Sequence, residues 1–191
     1  MPRYREHLIH HYFRSLFALY HLDDMIALDI PWWTYPAIRY IEDYIQNLKV
    51  KPRVFEYGSG ASTLWLAKRA QSVISVEHNK AWYDQLQMPL KTAPNVALQL
   101  YPDPSFSAYA AAIQTTSGLF DIIIIDGRAR AACLAYSLDK LHPQGIIIFD
   151  NTNRPRYQTA LCTSQLNIQR FPGWVPGSPL KSETSILRSL T

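Results

Sequence analysis

The chain has 191 residues, room for one domain with a full core and too few for two. Apolar residues make up 48% and charged residues 18%, which excludes a disordered or fibrous chain. The formal charge is +4, with lysines and arginines scattered and not stacked in a stripe, so no nucleic-acid-binding face is indicated, and no run of about 18 apolar residues is present to cross a membrane.

Residues 4–22 carry Leu8, Tyr12, Leu16 and Leu19 at helical spacing, with Phe13, Phe17 and Tyr20 beside them. His7, His10 and His11 interrupt this stretch and are expected at the surface or at an interface. No small-residue cleavage site follows, so no signal peptide is expected and the chain reads as cytoplasmic. The apolar N-terminal helix favours a homodimer. Pro31 and Pro36 punctuate the next segment, and Ala37–Leu48 reads as a second helix with Ile38, Ile41 and Ile45 on one face. These helices are expected to form a cap over residues 1–50, with the main domain over 51–191.

From Pro52 onward, short β-rich runs alternate with helices. Strands are predicted at Arg53–Tyr57, Ser72–Glu77, Val96–Tyr101, Asp121–Asp126 and Gly145–Asp150. The helices between them are predicted at Ser62–Ala70, Lys80–Gln87, Phe106–Gln114 and Arg130–Leu141. Strands as apolar as Ile122-Ile123-Ile124-Ile125 must be covered on both faces. Right-handed crossovers then give an α/β, doubly wound, mostly parallel sheet. Leu166–Phe171 and Thr184–Arg188 have no helix between them, only the turn-rich Pro172–Gly177. They should pair as an antiparallel hairpin that completes seven strands. Cys133 lies in a helical apolar pattern and reads as a buried reduced thiol. With Cys162 it makes a weak case for a disulfide.

The first strand runs into Glu56-Tyr57-Gly58-Ser59-Gly60-Ala61-Ser62. Glycines at Gly58 and Gly60 allow a tight turn and close approach of a ligand. The third glycine of a dinucleotide fingerprint would fall at Thr63, which argues against a dehydrogenase. Glu56 is a poor neighbour for a pyrophosphate and a good one for an ammonium group. Glu77 ends the second strand, where an acid can accept hydrogen bonds from ribose hydroxyls.

These stretches, Val54–Leu64 followed by Ser75-Val76-Glu77-His78, resemble the first two motifs of the class I, Rossmann-like S-adenosylmethionine (SAM)-dependent methyltransferases. The resemblance covers roughly residues 35–190. It implies that Glu56, Gly58, Ser59 and Gly60 line the methionine side of SAM, and that Ser62 and Asp126 also belong to the cofactor site. It also implies that Glu77 holds the ribose, that His78 lies against adenine, and that Asp103, between Pro102 and Pro104, meets the adenine amino group.

The fourth and fifth strands end in Asp126 and Asp150, and their carboxyl ends fall on the edge where ligands bind. A carboxylate ending a buried strand costs desolvation unless something compensates it. Asp126 with Asp150-Asn151 resembles the metal-dependent catechol and caffeoyl-CoA O-methyltransferases, which implies a magnesium-type ion held by Asp126, Asp150 and Asn151. The lysine base of those enzymes is missing, and Arg128 and Arg130 flank its place. A guanidinium cannot act as a base, but it can hold a carboxylate or phosphate. An anionic substrate is therefore the competing use of this corner. Trp32, Trp33 and Tyr35 would roof the cofactor or form the substrate wall, and Arg154, Arg156 and Tyr157 would face the substrate. The expected activity is methyl transfer from SAM to a small-molecule acceptor. The alternative is a catalytically silent methyltransferase-like binding module.

Overall fold

The computed structural model describes residues 4–5, 7–18 and 22–190. A seven-stranded sheet runs through it in the order β3-β2-β1-β4-β5-β7-β6. β1 (Arg53–Tyr57), β2 (Ser72–Glu77), β3 (Val96–Leu100), β4 (Phe120–Ile125) and β5 (Leu141–Asp150) are parallel. β7 (Lys181–Arg188) enters antiparallel between β5 and β6 (Asn167–Trp174). The register puts Val76, Tyr57, Ile125 and Phe149 in one row across four strands. Glu77, Gly58, Asp126 and Asp150 each follow by one residue, so these four leave the sheet side by side.

The consecutive isoleucines of β4 alternate between two cores, as the period of a strand requires. Ile122 and Ile124 pack with Ile38 and Ile41 of α3 (Tyr35–Asn47) and with Trp65 and Leu66 of α4 (Ala61–Ala67). Ile123 and Ile125 pack on the other face with Tyr109 of α6 (Ser107–Ala111), Cys133 and Leu134 of α7 (Arg130–Ser137) and Leu161 of α8 (Gln158–Thr163). All four isoleucines are fully buried, each worth about 1.5–3 kcal/mol. α5 (Lys80–Leu90) lies along β2 and β3. Cys133 is buried and Cys162 exposed, both as free thiols.

Several elements differ from their predicted extents. β6 continues through Pro172-Gly173 to Trp174, and β7 begins at Lys181, so the hairpin takes in much of the expected turn. Proline is tolerated there because β6 is an edge strand. At Gly173 a Cβ would meet Pro36 Cδ at 2.9 Å, so the missing side chain lets α3 approach. β5 starts at Leu141, within the segment expected as the end of a helix, because α7 stops at Ser137 and a short 3-10 turn over Leu138–Lys140 follows.

At the N-terminus, α1 spans Leu8–Phe17, and a short α2 (Leu22–Ala27) follows that the sequence pattern did not announce. Leu19 and Tyr20, expected on the first helix, lie outside the described residues. The inward face of α1 is turned from the expected one toward His11 and Ser15, while Tyr12 and Leu16 stay half-buried and Tyr12 packs against the core. Leu8, Phe13 and Phe17 are exposed, and His11 and Ser15 are buried. His11 is thus not a surface histidine. Its Nδ1 lies 3.0 Å from the Tyr35 hydroxyl, and burial lowers its pKa. Ser15 Oγ accepts the Gly177 amide at 2.9 Å. Two polar anchors therefore decide how the helix is rotated.

The loops after β1 and β4 touch through backbone. A Cβ on Gly127 would lie 2.0 Å from the buried Tyr109 hydroxyl and 3.0 Å from Gly58 N. A Cβ on Gly58, which stands at φ +96°, would lie 2.8 Å from Gly127 Cα and N. Gly60 faces open space. Gly127→Ala should therefore lower unfolding stability by about 1–3 kcal/mol, and Gly60→Ala should stay within about 0.5 kcal/mol of wild type. Urea unfolding of both variants measures the difference.

Candidate active site

A cleft of about 1050 Å³ opens over the carboxyl ends of β1, β2 and β4. Its volume sits at the upper end of the roughly 300–1,000 Å³ common for ligand sites. The loop Gly58–Ser62 forms one wall, Glu77 and His78 a second, and Asp126–Arg130 the floor. Trp32, Trp82 and Tyr157 add aromatic surface.

Glu77 is almost fully buried and organises the loop beside it. Its Oε1 accepts the His78 and Asn79 amides at 2.9 and 2.8 Å, and its Oε2 accepts the Ser59 amide at 3.2 Å. A carboxylate offers about four acceptor directions, so three donors leave room for one more from the cleft. The His78 ring stands edge-on to Phe106 and Tyr109, with centroids at 5.5 and 6.0 Å. Its Nδ1 is 2.9 Å from Glu77 Oε1 but lacks hydrogen-bond geometry. Trp82, which the sequence reading did not single out, donates from Nε1 to Ser59 O at 2.8 Å. Asn79 caps the helix that carries it. An Asn followed three residues later by Trp was the available signal, and it reads as an ordinary helix start.

Glu56 does not line the cleft. It lies beneath the glycine loop with no exposed surface, and it accepts the hydroxyls of Ser62, Thr63 and Ser75 at 2.5, 2.6 and 2.6 Å. The expected meeting with an ammonium group is replaced by a hydroxyl cage that fastens the loop to α4 and β2. Burial, against these hydrogen bonds, raises its pKa to about 7. Asp103 does not line the cleft either. It is half-buried and caps the turn before α6, accepting the Ser105, Ser107 and Ala108 amides. Trp33 is fully buried, edge-on to Trp65 at 6.0 Å, and Tyr35 is likewise in the core. Of the three aromatics proposed as a wall, Trp32 alone reaches the cleft.

Asp126, Asp150 and Asn151 do come together, around Arg130. All five N–H groups of this guanidinium are engaged. Nε donates to Gly127 O at 3.0 Å. One terminal nitrogen donates to Asp126 O at 2.6 Å and Asp126 Oδ1 at 2.9 Å. The other donates to Asp150 O and, at 3.2 Å, to Asn151 Oδ1, and lies 3.6 Å from Asp150 Oδ2. Asp150 Oδ1 accepts the Thr184 hydroxyl at 2.7 Å. Burial and mutual repulsion push Asp126 upward against the pull of Arg130, and burial likewise raises Asp150. Asp126 still keeps a quarter of its side-chain surface open, toward the cleft.

This arrangement corrects two expectations. The oxygen set assigned to a magnesium-type ion already surrounds a cation, the guanidinium of Arg130, so these residues as placed do not fit the metal. Among the described residues no group of three His, Cys, Asp or Glu side chains converges elsewhere. Arg130 is also saturated with protein acceptors, which removes it from the set free to bind substrate. Arg128 and Tyr157 do line the cleft, and Arg154 and Arg156 join them.

The strand order, the antiparallel β7 and the cleft over β1, β2 and β4 define the fold of the class I, Rossmann-like SAM-dependent methyltransferases. Among solved structures, a methyltransferase-like protein from Silicibacter pomeroyi is 21% identical, with a TM-score of 0.56 over 85% of this chain and 91% of that one. A Streptococcus mutans protein solved in complex with SAH is 12% identical, with a TM-score of 0.59 over 80% and 97%. An rRNA methylase from Streptococcus thermophilus is 12% identical, with a TM-score of 0.60 over 82% and 97%. No protein-family model and no curated protein matches the sequence. No helix among the described residues is long and apolar enough to cross a membrane.

The raised pKa of Glu56 links the loop to pH. The folded state keeps the proton to about 7 and the unfolded chain releases it near 4.5, so the contribution of Glu56 to stability is full below 4.5 and is lost as pH rises through 7. Glu56→Gln should flatten the fall in unfolding free energy between pH 4.5 and 7. Identical slopes for variant and wild type would refute this account.

Proposed function

We propose that the chain is a SAM-dependent methyltransferase that acts on a small-molecule acceptor. The observation that carries this reading is the row of strand ends. It brings Gly58, Glu77 and Asp126 to the walls of one cleft in a fold whose solved neighbours include a protein with SAH bound. SAM would supply an electrophilic methyl on a sulfonium.

The chain's own residues would bind and align. The Glu77 carboxylate would take a ribose hydroxyl on its remaining acceptor direction, and the His78 and Trp82 rings would border the base. Gly60 would leave space for the methionine part, since a side chain there would project into the cleft. Asp126 stands on the floor of the same cleft with its pKa raised. Its Oδ atoms would accept the proton of the attacking group, a role suited to a carboxyl above its usual range. Trp32 and Tyr157 would exclude water, so the in-line displacement rests on alignment, with no acid or metal required for the leaving sulfur.

Calorimetric titration with SAM and SAH tests this. Wild type should bind both in the micromolar range, equally in magnesium and in EDTA. Glu77→Ala, checked for retained fold by circular dichroism, should weaken binding by about tenfold or more. No binding of either ligand would leave a methyltransferase-like binding module as the reading.

A further inference from the structure

Arginines line the acceptor end of the cleft, and they are not equivalent. Arg130 has all its donors taken by protein oxygens. Arg128, Arg154 and Arg156 are exposed, line the same cleft, and make no side-chain hydrogen bond or ion pair among the described residues. The carboxylates that line the cleft with them are already engaged, Asp126 by Arg130 and Glu77 by three amides.

The backbone that presents these arginines is held firmly. The segment from Asn151 to Tyr157 is closed by Arg154 N to Asn151 O at 3.1 Å and Tyr157 N to Arg154 O at 3.0 Å. Tyr157 is buried against Phe149 at 5.2 Å, and the Arg156 guanidinium lies 4.8 Å above its ring. Such stacking pre-orients a guanidinium while leaving its edge N–H groups free. Arg128 lines the same cleft, next to Ala129, whose φ of 46° turns the chain into α7. The side chains after Arg130 in that helix are Ala131 and Ala132, small enough to admit a ligand.

We infer that Arg128, Arg154 and Arg156 form the acceptor-recognition site, and that the acceptor carries a carboxylate or phosphate held by these three guanidinium groups. The inference rests on the methyltransferase reading and names its substrate class. Three unpaired guanidinium groups in one recess repel each other, and an anion relieves that repulsion while taking bidentate hydrogen bonds. The anion is a handle and not the atom methylated, because its lone pairs are engaged by the arginines. The nucleophile lies on another part of the acceptor, within reach of Asp126.

The experiment uses the full chain at constant ionic strength, with and without saturating SAH, and titrates inorganic phosphate, benzoate and phenyl phosphate by calorimetry, with phenol as the neutral control. The variants are Arg128→Gln, Arg154→Gln, Arg156→Gln and, as a charge-matched control outside the cleft on α3, Arg39→Gln. Saturable binding of the aryl anions but not phenol is expected. Each cleft variant should weaken it by about tenfold, with SAH affinity and the Arg39→Gln protein unchanged. SAH binding that persists while the anions fail to bind, or bind equally to every variant, overturns the inference and leaves the cofactor reading standing. A single-stranded RNA oligonucleotide that binds with the same arginine dependence while the small anions do not also overturns it. Absence of SAH binding overturns the cofactor reading and this inference together.

Discussion

The corner where β4 and β5 leave the sheet depends on one guanidinium. Two buried strands end there in carboxylates, an arrangement that is costly without a counter-charge. Arg130 reaches back from the first turn of α7 and supplies that charge, together with hydrogen bonds to three backbone carbonyls. One positive charge serves two carboxylates, and burial still raises the pKa of both, with repulsion from Asp150 adding to the rise at Asp126. The same side chain fixes the floor of the cleft, fills the place a metal would take, and leaves the neighbouring arginines without protein partners.

The fold was legible because its signals are repetitive. Alternating apolar runs and helical segments, with a helix missing before Thr184, are enough to fix a parallel sheet closed by an antiparallel pair. The site was legible where backbone chemistry dictates residue type, as at Gly58, Glu77 and Asp126, which fall next to one another by register alone. It was not legible where the outcome turns on side-chain direction. Glu56 and Trp33 neighbour cleft residues in sequence but point the other way, into the core. Asp103 turned to its own backbone, as an aspartate between prolines often does. His11 was misplaced because a histidine in an apolar helix looks like a surface residue until the Tyr35 hydroxyl is seen beside it.

Arg130 is the most instructive case. In sequence, Asp126 with Asp150-Asn151 suggests a metal ligand set, and an arginine four residues on gives no warning that it will complete that set itself. The outcome depends on the left-handed turn at Ala129, after which Arg130 opens α7 and its guanidinium reaches back over the strand ends. Patterns of acidic residues therefore identify a place that must hold positive charge. They do not identify its carrier.

The Thr184 hydroxyl donates to Asp150 Oδ1 and accepts the Thr34 amide at 3.1 Å, so one side chain joins segments 150 residues apart in sequence. Contacts of such separation form only after long loops have closed, and they slow folding. Until β7 slides between β5 and β6, Asp150 has water for company and no reason to hold a raised pKa. Refolding should thus acquire the electrostatics of the corner as a late event, after the parallel strands have already collapsed.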